Sequence, residues 1–149
     1  MKNNILKRTM MTLLAAAGTV SMVCAAGEKP ERLTDQLPHK ARTFIGEYFA
    51  DRNVSNVRRE QWPTCYEVVF ADGTKAEFDA DGDWMEVDCR GEAVPTVIVP
   101  LQIREYVTTK YPAQKIVSVS RDRRGYDVEL SNGFELGFDR RFRLTDFDD

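Results

Sequence analysis

The chain carries the same series of signals twice, and this internal repetition limits the possible folds more than any other feature. Four pairs of segments correspond: Tyr66-Glu67-Val68 with Tyr126-Asp127-Val128, Asp72-Gly73 with Asn132-Gly133, Phe78-Asp79 with Phe138-Asp139, and Pro38 with Pro100. The first three pairs are offset by 60 residues and the last pair by 62, so the second copy is two residues shorter in one loop. Repetition of this kind predicts a supersecondary unit that occurs twice.

The first 26 residues are predicted to be a secretory signal peptide. A cationic start is followed by apolar residues 9–23, too short a segment to span a bilayer comfortably, and then by the small residues Cys24-Ala25-Ala26. A lipoprotein signal with Cys24 as the acylated residue is the alternative. Such a signal requires a small residue before the cysteine, and Val23 is a poor one, so we favour cleavage after Ala26.

Charge and length place limits on the exported protein. Removing residues 1–26 takes away three cations and no acid, so the net charge changes from −3 to −6. An acidic surface is unlike that of a nucleic-acid-binding protein, and no later apolar run is long enough to cross a membrane. The remaining chain has the length of one domain, and a single copy would bury too little surface to be stable alone. We therefore expect the copies to pack as one compact domain.

The predicted fold class is α+β, with two tandem repeats that each contain one helix followed by a four-stranded antiparallel meander. We expect both helices to pack on one face of the sheet. After a flexible arm at 27–36, repeat 1 covers 37–90, a linker covers 91–98, and repeat 2 covers 99–149. The predicted strands are 54–59, 66–70, 74–79 and 84–87, then 116–121, 126–130, 134–139 and 142–145.

Local patterns support these elements. Apolar residues recur at three- and four-residue steps after Pro38 to about Asp51, as in a helix with one buried face. Alternation in Tyr66–Phe70 is typical of strands, and Asp72-Gly73 is a strong hairpin signal. This arrangement puts Cys65 and Cys89 at opposite ends of strands two places apart, farther than the ~7 Å between Cα atoms that a disulfide allows.

The motif of the first copy resembles that of a known family. Tyr66-Glu67-Val68-Val69-Phe70-Ala71-Asp72-Gly73, followed by Phe78-Asp79-Ala80-Asp81-Gly82-Asp83-Trp84, is similar to the PepSY-like family of secreted bacterial proteins, which is also described as similar to the β-lactamase inhibitory protein. The second copy lacks the Gly and the Trp, having Arg141-Phe142-Arg143-Leu144 instead. The resemblance implies a periplasmic or secreted protein of the kind that binds or inhibits enzymes, and it implies no catalytic residue.

Two acidic or basic groupings could form sites. Asp79, Asp81 and Asp83 alternate as calcium ligands can, but Gly82 falls fourth where a calcium loop places it sixth, so a simple hairpin turn is the favoured interpretation. Six arginines lie in or beside two turns that a meander would bring to one end of the sheet. They are Arg121, Arg123, Arg124, Arg140, Arg141 and Arg143. Arginine is enriched at interfaces, although a solvated rim or pairing with nearby acids is the simpler explanation.

Aromatic and nucleophilic residues complete the candidate set. Trp62 precedes Pro63 in a predicted loop and is a candidate contact residue, whereas Trp84 is expected in the core. His39 is the only histidine, and nothing in its spacing pairs it with Cys65 as a base with its nucleophile.

We therefore predict an exported, non-enzymatic protein without a cofactor, which recognises and can inhibit another envelope or secreted protein. Its predicted contacts are Trp62, Arg123, Arg124, Arg140 and Arg141. Binding of calcium or a small ligand, in the turn containing Asp79 or in the groove between helix and sheet, is the alternative.

Overall fold

The chain forms one helix followed by four strands, and then repeats that order. A computed structural model describes residues 32–61 and 64–148; residues 1–31, which include the predicted signal peptide, lie outside the described part, as does Trp62. Within these ranges no helix has the length and apolar character that crossing a membrane requires. The elements are α1 (His39–Tyr48), β1 (Val54–Gln61), β2 (Thr64–Phe70), β3 (Lys75–Asp79), β4 (Trp84–Asp88), α2 (Leu101–Lys110), β5 (Ile116–Arg121), β6 (Gly125–Leu130), β7 (Glu135–Asp139) and β8 (Leu144–Asp148).

All eight strands form one antiparallel sheet in the order of the sequence. The two copies are joined by pairing of β4 with β5, where Val87 lies opposite Val119. One row of apolar residues crosses every strand in register and supplies much of the core. It consists of Val57, Val68, Ala76, Val87, Val119, Val128, Leu136 and Phe147.

Each helix contributes its apolar face to that core. Ala41 and Ile45 of α1 are buried, as are Ile103 and Val107 of α2, which is the four-residue spacing of one helix face. The ring of Phe44 contacts that of Phe78 edge-on at 5.5 Å between centroids. In the second copy Tyr106 contacts Phe138 in the same way, also at 5.5 Å.

The strands agree with the sequence prediction to within one or two residues except at the last one. We predicted the final strand at 142–145, but β8 begins at Leu144 and continues to Asp148. The reason is Phe142, whose φ of 60° lies in the left-handed region and belongs to the turn. Gly82 occupies the corresponding place in the first copy, with a φ of 84°. A phenylalanine therefore adopts a conformation that a glycine adopts more readily.

Residues 32–36, the described part of the segment predicted as an arm, lie directly before α1. Leu33–Gln36 form a 3₁₀ helix, and the backbone N–H of Arg32 donates a hydrogen bond to the Asp35 carboxylate at 3.0 Å. Leu37, which follows, is only 3% exposed. This part of the segment is therefore ordered by a local hydrogen bond and by burial of the next residue.

The segment at 91–98 is packed against the second copy. Val94 and Ile98 are buried, and the Val94 N–H donates to the carbonyl oxygen of Ile116 at 2.9 Å. Cys89, just before it, is buried, whereas Cys65 is half-buried beside the opposite end of β3, and neither forms a disulfide within the described residues. The chain between the copies thus contributes to the core rather than serving as a loose tether.

Candidate functional site

Two turns that carry arginines lie side by side at one end of the sheet. Gly125 pairs with Asp139 across β6 and β7, so the turn before Gly125 adjoins the turn after Asp139. Four exposed residues of these turns make up what we call the arginine turns: Arg123, Arg124, Arg140 and Arg141. The structure therefore brings together the four arginines that the sequence singled out.

Local carboxylates engage part of the positive charge at this end. Arg124 Nε lies 3.0 Å from Asp122 Oδ2, and Arg143 Nη2 lies 2.6 Å from Asp139 Oδ2. Arg123, Arg140 and Arg141 have no carboxylate oxygen within 4.0 Å among the residues that the structure describes. Pairing thus occurs inside each turn and leaves three guanidinium groups without a carboxylate partner among the described residues.

The two turn aspartates are held in their ionised forms. Hydrogen bonds from the backbone and side chain of Arg143 lower the pKa of Asp139. Burial opposes ionisation of Asp122, but hydrogen bonds from Arg124 and Gly125 outweigh it and lower its pKa. These carboxylates shape the turns, and they also cancel part of the charge that the turns present.

The acidic turn at the end of the first copy is used internally. The Asp79 carboxylate accepts hydrogen bonds from the backbone N–H groups of Asp81 and Asp83 at 3.0 and 2.9 Å. Asp83 forms an ion pair with Lys40 at 2.8 Å, and this pairing lowers the pKa of Asp83. Within residues 32–61 and 64–148, no group of three or more His, Cys, Asp or Glu residues is arranged to hold a metal ion. The geometry is that of a hairpin turn.

A larger acidic surface lies on the side of the sheet opposite the apolar row. Side chains alternate between the two sides of a strand, so residues flanking the apolar row point away from it. One row runs Arg58, Glu67, Glu77, Glu86, Ser120, Asp127, Gly137 and Asp146, and the next runs Asn56, Val69, Lys75, Asp88, Ser118, Glu129, Glu135 and Asp148. We call these two rows the acidic sheet face, because nine of their sixteen residues are carboxylic acids.

Crowding on this face perturbs two carboxylates. Burial, together with the nearby charges of Asp122, Glu135 and Asp146, raises the pKa of Asp127. Burial, Asp88 and Glu135 likewise raise the pKa of Glu129. Asp127 lies close over Gly137, since a Cβ added there would stand 3.1 Å from its Oδ1 atom. The face therefore holds more negative charge than its own cations neutralise.

A cleft of about 510 Å³ lies where the two copies meet. Its walls come from α1, from Gly82 to Trp84, from Val97 and Ile98, and from Arg121 and Tyr126 of the second copy. Trp84 was expected in the core, but it is half-buried and forms part of this wall. His39 also lines the cleft, whereas Cys65 does not, its Sγ lying 3.7 Å from Glu60.

Sequence reasoning missed the acidic sheet face, and it did not show that Trp84, which packs against the core, also forms part of the cleft wall. The alternating acids of single strands, such as Asp127 and Glu129, were visible signals. Their alignment into continuous rows depends on the register of all eight strands. The cleft depends on the approach of α1 to the turn after β3, which no local pattern reveals.

Comparison with protein families gives a match over residues 64–146 to the family described as "Putative beta-lactamase-inhibitor-like, PepSY-like". The comparison with curated proteins gives no match.

Solved structures from Bacteroides species have the same fold. A "putative calcium-regulated periplasmic protein" from Bacteroides thetaiotaomicron is 42% identical, with a TM-score of 0.74 over 78% of this chain and 93% of that one. Two proteins from Bacteroides vulgatus, each described as a "putative periplasmic protein", are 42% and 34% identical, with TM-scores of 0.73 and 0.72. Each alignment covers 78% of this chain, and they cover 93% and 94% of those chains.

Proposed function

The chain belongs to the PepSY-like, beta-lactamase-inhibitor-like family, and on that premise we propose that it is an exported, non-enzymatic protein that recognises another protein of the cell envelope. The periplasmic descriptions of its structural neighbours support export. So does the charged and apolar pattern of residues 1–26, which we propose is removed as a signal peptide. The beta-lactamase-inhibitor-like description of the family supports binding to an enzyme, with inhibition as its result.

We propose that the contact surface is the arginine turns, together with Trp62. One observation carries this proposal: the pairing of Gly125 with Asp139 sets two exposed, arginine-bearing turns side by side. Three of their guanidinium groups lack a carboxylate partner among the described residues. Arginine in such a setting is suited to bidentate contact with carboxylates, and it loses less conformational freedom on binding than lysine does.

The chemistry of this surface defines the partner. An acidic patch on an envelope protein would be attracted to the arginine turns and repelled by the acidic sheet face. Charge arranged in this way orients an encounter and raises the association rate more than it raises affinity. We therefore expect binding that weakens as salt is added.

We also infer that both helices cover the same side of the sheet. The contacts of Phe44 with Phe78 and of Tyr106 with Phe138 support this, because Phe78 and Phe138 occupy equivalent positions in the two copies. This arrangement would leave the acidic sheet face free of helices.

Affinity capture from a bacterial envelope extract tests the proposal. The bait is the chain from residue 27 onward, and its variant replaces Arg123, Arg124, Arg140 and Arg141 by Ala. A matched control replaces four other cations that lie away from the arginine turns: Arg32, Arg42, Lys110 and Lys115. We expect one acidic protein to be retained by the parent and the control but lost by the variant. Equal capture by all three baits would exclude the arginine turns as the contact surface.

Calcium binding is the second candidate, because a solved relative is described as calcium-regulated. In this chain, calcium at the acidic turn would have to displace Lys40 from Asp83 and two backbone N–H groups from Asp79. Isothermal calorimetry with calcium chloride, on the parent and on Asp79→Asn, would test it. Heat that disappears in the variant would support calcium, and absence of heat in the parent would dismiss it.

A further inference from the structure

We propose that the cleft between the two copies binds a carboxylate attached to an aromatic or apolar body, held by Arg121. The cleft is separate from the arginine turns, and it draws residues from both copies as well as from the segment that joins them. Its volume of about 510 Å³ is that of a site for a small ligand or for the last residue of a peptide.

Aromatic rings form part of the cleft wall, beside the charged side chains of Lys40, Glu47 and Asp83. Trp84 stacks on Phe44 with ring centroids 6.2 Å apart and planes inclined by 29°. Phe44 also meets Tyr48 edge-on at 4.8 Å. Val97, at the rim, keeps 68% of its surface exposed, which is unusual for so large an apolar side chain. An apolar ligand group that packs on these side chains would remove their apolar surface from water, which favours binding.

Arg121 supplies a cation that is already oriented. Its Nε donates a hydrogen bond to the backbone carbonyl oxygen of Trp84 at 2.7 Å. The guanidinium carbon lies 4.2 Å from the centroid of the Trp84 ring. A guanidinium held by both contacts has little rotational freedom left to lose when a ligand binds.

The terminal nitrogens of Arg121 have no partner within the described residues. No carboxylate oxygen of that part of the chain lies within 4.0 Å of them, and Arg121 makes no side-chain hydrogen bond there besides the one to Trp84. Asp83, an acid that lines the cleft, is paired with Lys40 at 2.8 Å, and the charge of Arg121 also helps to lower the pKa of Asp83. A planar fork of donors beside aromatic rings matches a carboxylate whose attached body is apolar.

Two kinds of molecule carry this chemistry, namely a free aromatic acid and the C-terminal residue of a peptide. The probes are 3-phenylpropionate and the peptide N-acetyl-Ala-Ala-Phe, each compared with its neutral carboxamide. Trp84 reports on binding through its fluorescence in a Trp62→Phe background, which leaves it as the only tryptophan. Peptide binding without phenylpropionate binding would identify a chain terminus as the ligand, and the reverse would identify a free acid.

We expect the acid to change Trp84 fluorescence in a saturable way and the amide to bind about tenfold more weakly or worse, as loss of a charged hydrogen bond implies. Arg121→Gln should weaken binding of the acid by a similar factor, and Arg121→Lys should weaken that binding less. Arg42→Gln, which removes an exposed cation of α1 that does not line the cleft, should leave binding of the acid unchanged. Equal binding of acid and amide, no saturable signal with either acid, or unchanged binding in Arg121→Gln would each overturn the proposal. The comparison of the acid with the amide uses protein in which Arg121 is intact, so it tests the proposal even if the Arg121 variants fail to fold.

Discussion

Gly125 lies directly opposite Asp139 in the β6–β7 pair, and it does so in a space with no room for a side chain. A Cβ atom added to Gly125 would stand 1.8 Å from the carbonyl oxygen of Phe138 and 2.9 Å from the Asp139 Cα. The close approach of these strands is also what brings the arginine turns together. Formation of that surface therefore depends on a residue that carries no charge.

Replacing Gly125 by Ala should destabilise the protein by roughly 3 kcal/mol or more, because the obstructing atoms belong to the backbone and cannot rotate away. Urea unfolding followed by circular dichroism measures this. Gly46→Ala is the matched control: it lies within α1 with no atom within 4 Å of the added Cβ, and it should stabilise by up to about 1 kcal/mol. Similar unfolding midpoints for the two variants would contradict our description of β6 and β7.

Alanine substitutions at Gly82 and Gly133 distinguish the cost of backbone strain at positive φ from the cost of steric crowding around an added Cβ. Both have positive φ, at 84° and 87°, so Ala costs about 1 kcal/mol at either place. At Gly82 the new Cβ would also lie 2.8 Å from the Pro38 Cβ, whereas at Gly133 nothing lies within 4 Å. We expect Gly82→Ala to lower the free energy of unfolding by about 1 kcal/mol more than Gly133→Ala does, as measured by thermal or urea unfolding. Equal losses would mean that α1 does not press on this turn.

Asp127→Asn should raise stability at neutral pH. The raised pKa of Asp127 means that folding disfavours its ionised form, a penalty that is complete above the folded-state pKa. The penalty fades as pH falls through that value, and it vanishes below the unfolded-state pKa of about 3.9. We expect a melting temperature about 2 °C higher at pH 7 and unchanged at pH 3.

The control for Asp127 is Asp51→Asn, an exposed acid just beyond α1. It should leave the melting temperature nearly the same at both pH values. If Asp127→Asn behaves like this control, the acidic sheet face does not carry the crowding that we describe.

Asp139→Asn should lower stability at neutral pH, which is the opposite of the effect expected for Asp127→Asn. The lowered pKa of Asp139 reflects hydrogen bonds from Arg143, so its carboxylate stabilises the fold above the unfolded-state pKa. That stabilisation is lost as pH falls through the folded-state pKa. The variant should therefore melt at a lower temperature than the parent at pH 7, with the difference narrowing in acid. A difference that grows in acid would show that the Asp139 carboxylate does not stabilise its turn.

The repeated elements could be predicted because each depends on neighbours in the sequence. Alternation in β6 and the Asn132-Gly133 turn specify a hairpin locally, and the pairing of Val128 with Leu136 follows from them. The exception was β8, which begins late because Phe142 adopts a positive φ that its residue type does not suggest. Tertiary packing decides that conformation, since the Phe142 ring lies 5.7 Å from that of Tyr126.

The candidate site could be predicted only in part. The arginine turns lie at the same end of the sheet because strand direction alternates in a meander, so their convergence could be predicted from the sequence. The engagement of Arg124 and Arg143 by aspartates of their own turns depends on side-chain geometry within each loop. The stacking of Arg121 on Trp84 joins residues of different copies, and no spacing within one copy reveals it.

The single junction of β4 with β5 also has a kinetic consequence. In every other pair the two strands are separated by two to four residues in the sequence, but the residues that meet here, Asp88 and Ser118, are 30 positions apart with α2 between them. Closing a loop sixfold longer than a hairpin costs about 1.6 kcal/mol more in chain entropy. We therefore expect the hairpins to form before the copies join, so the first four strands can pair before the rest of the chain has folded.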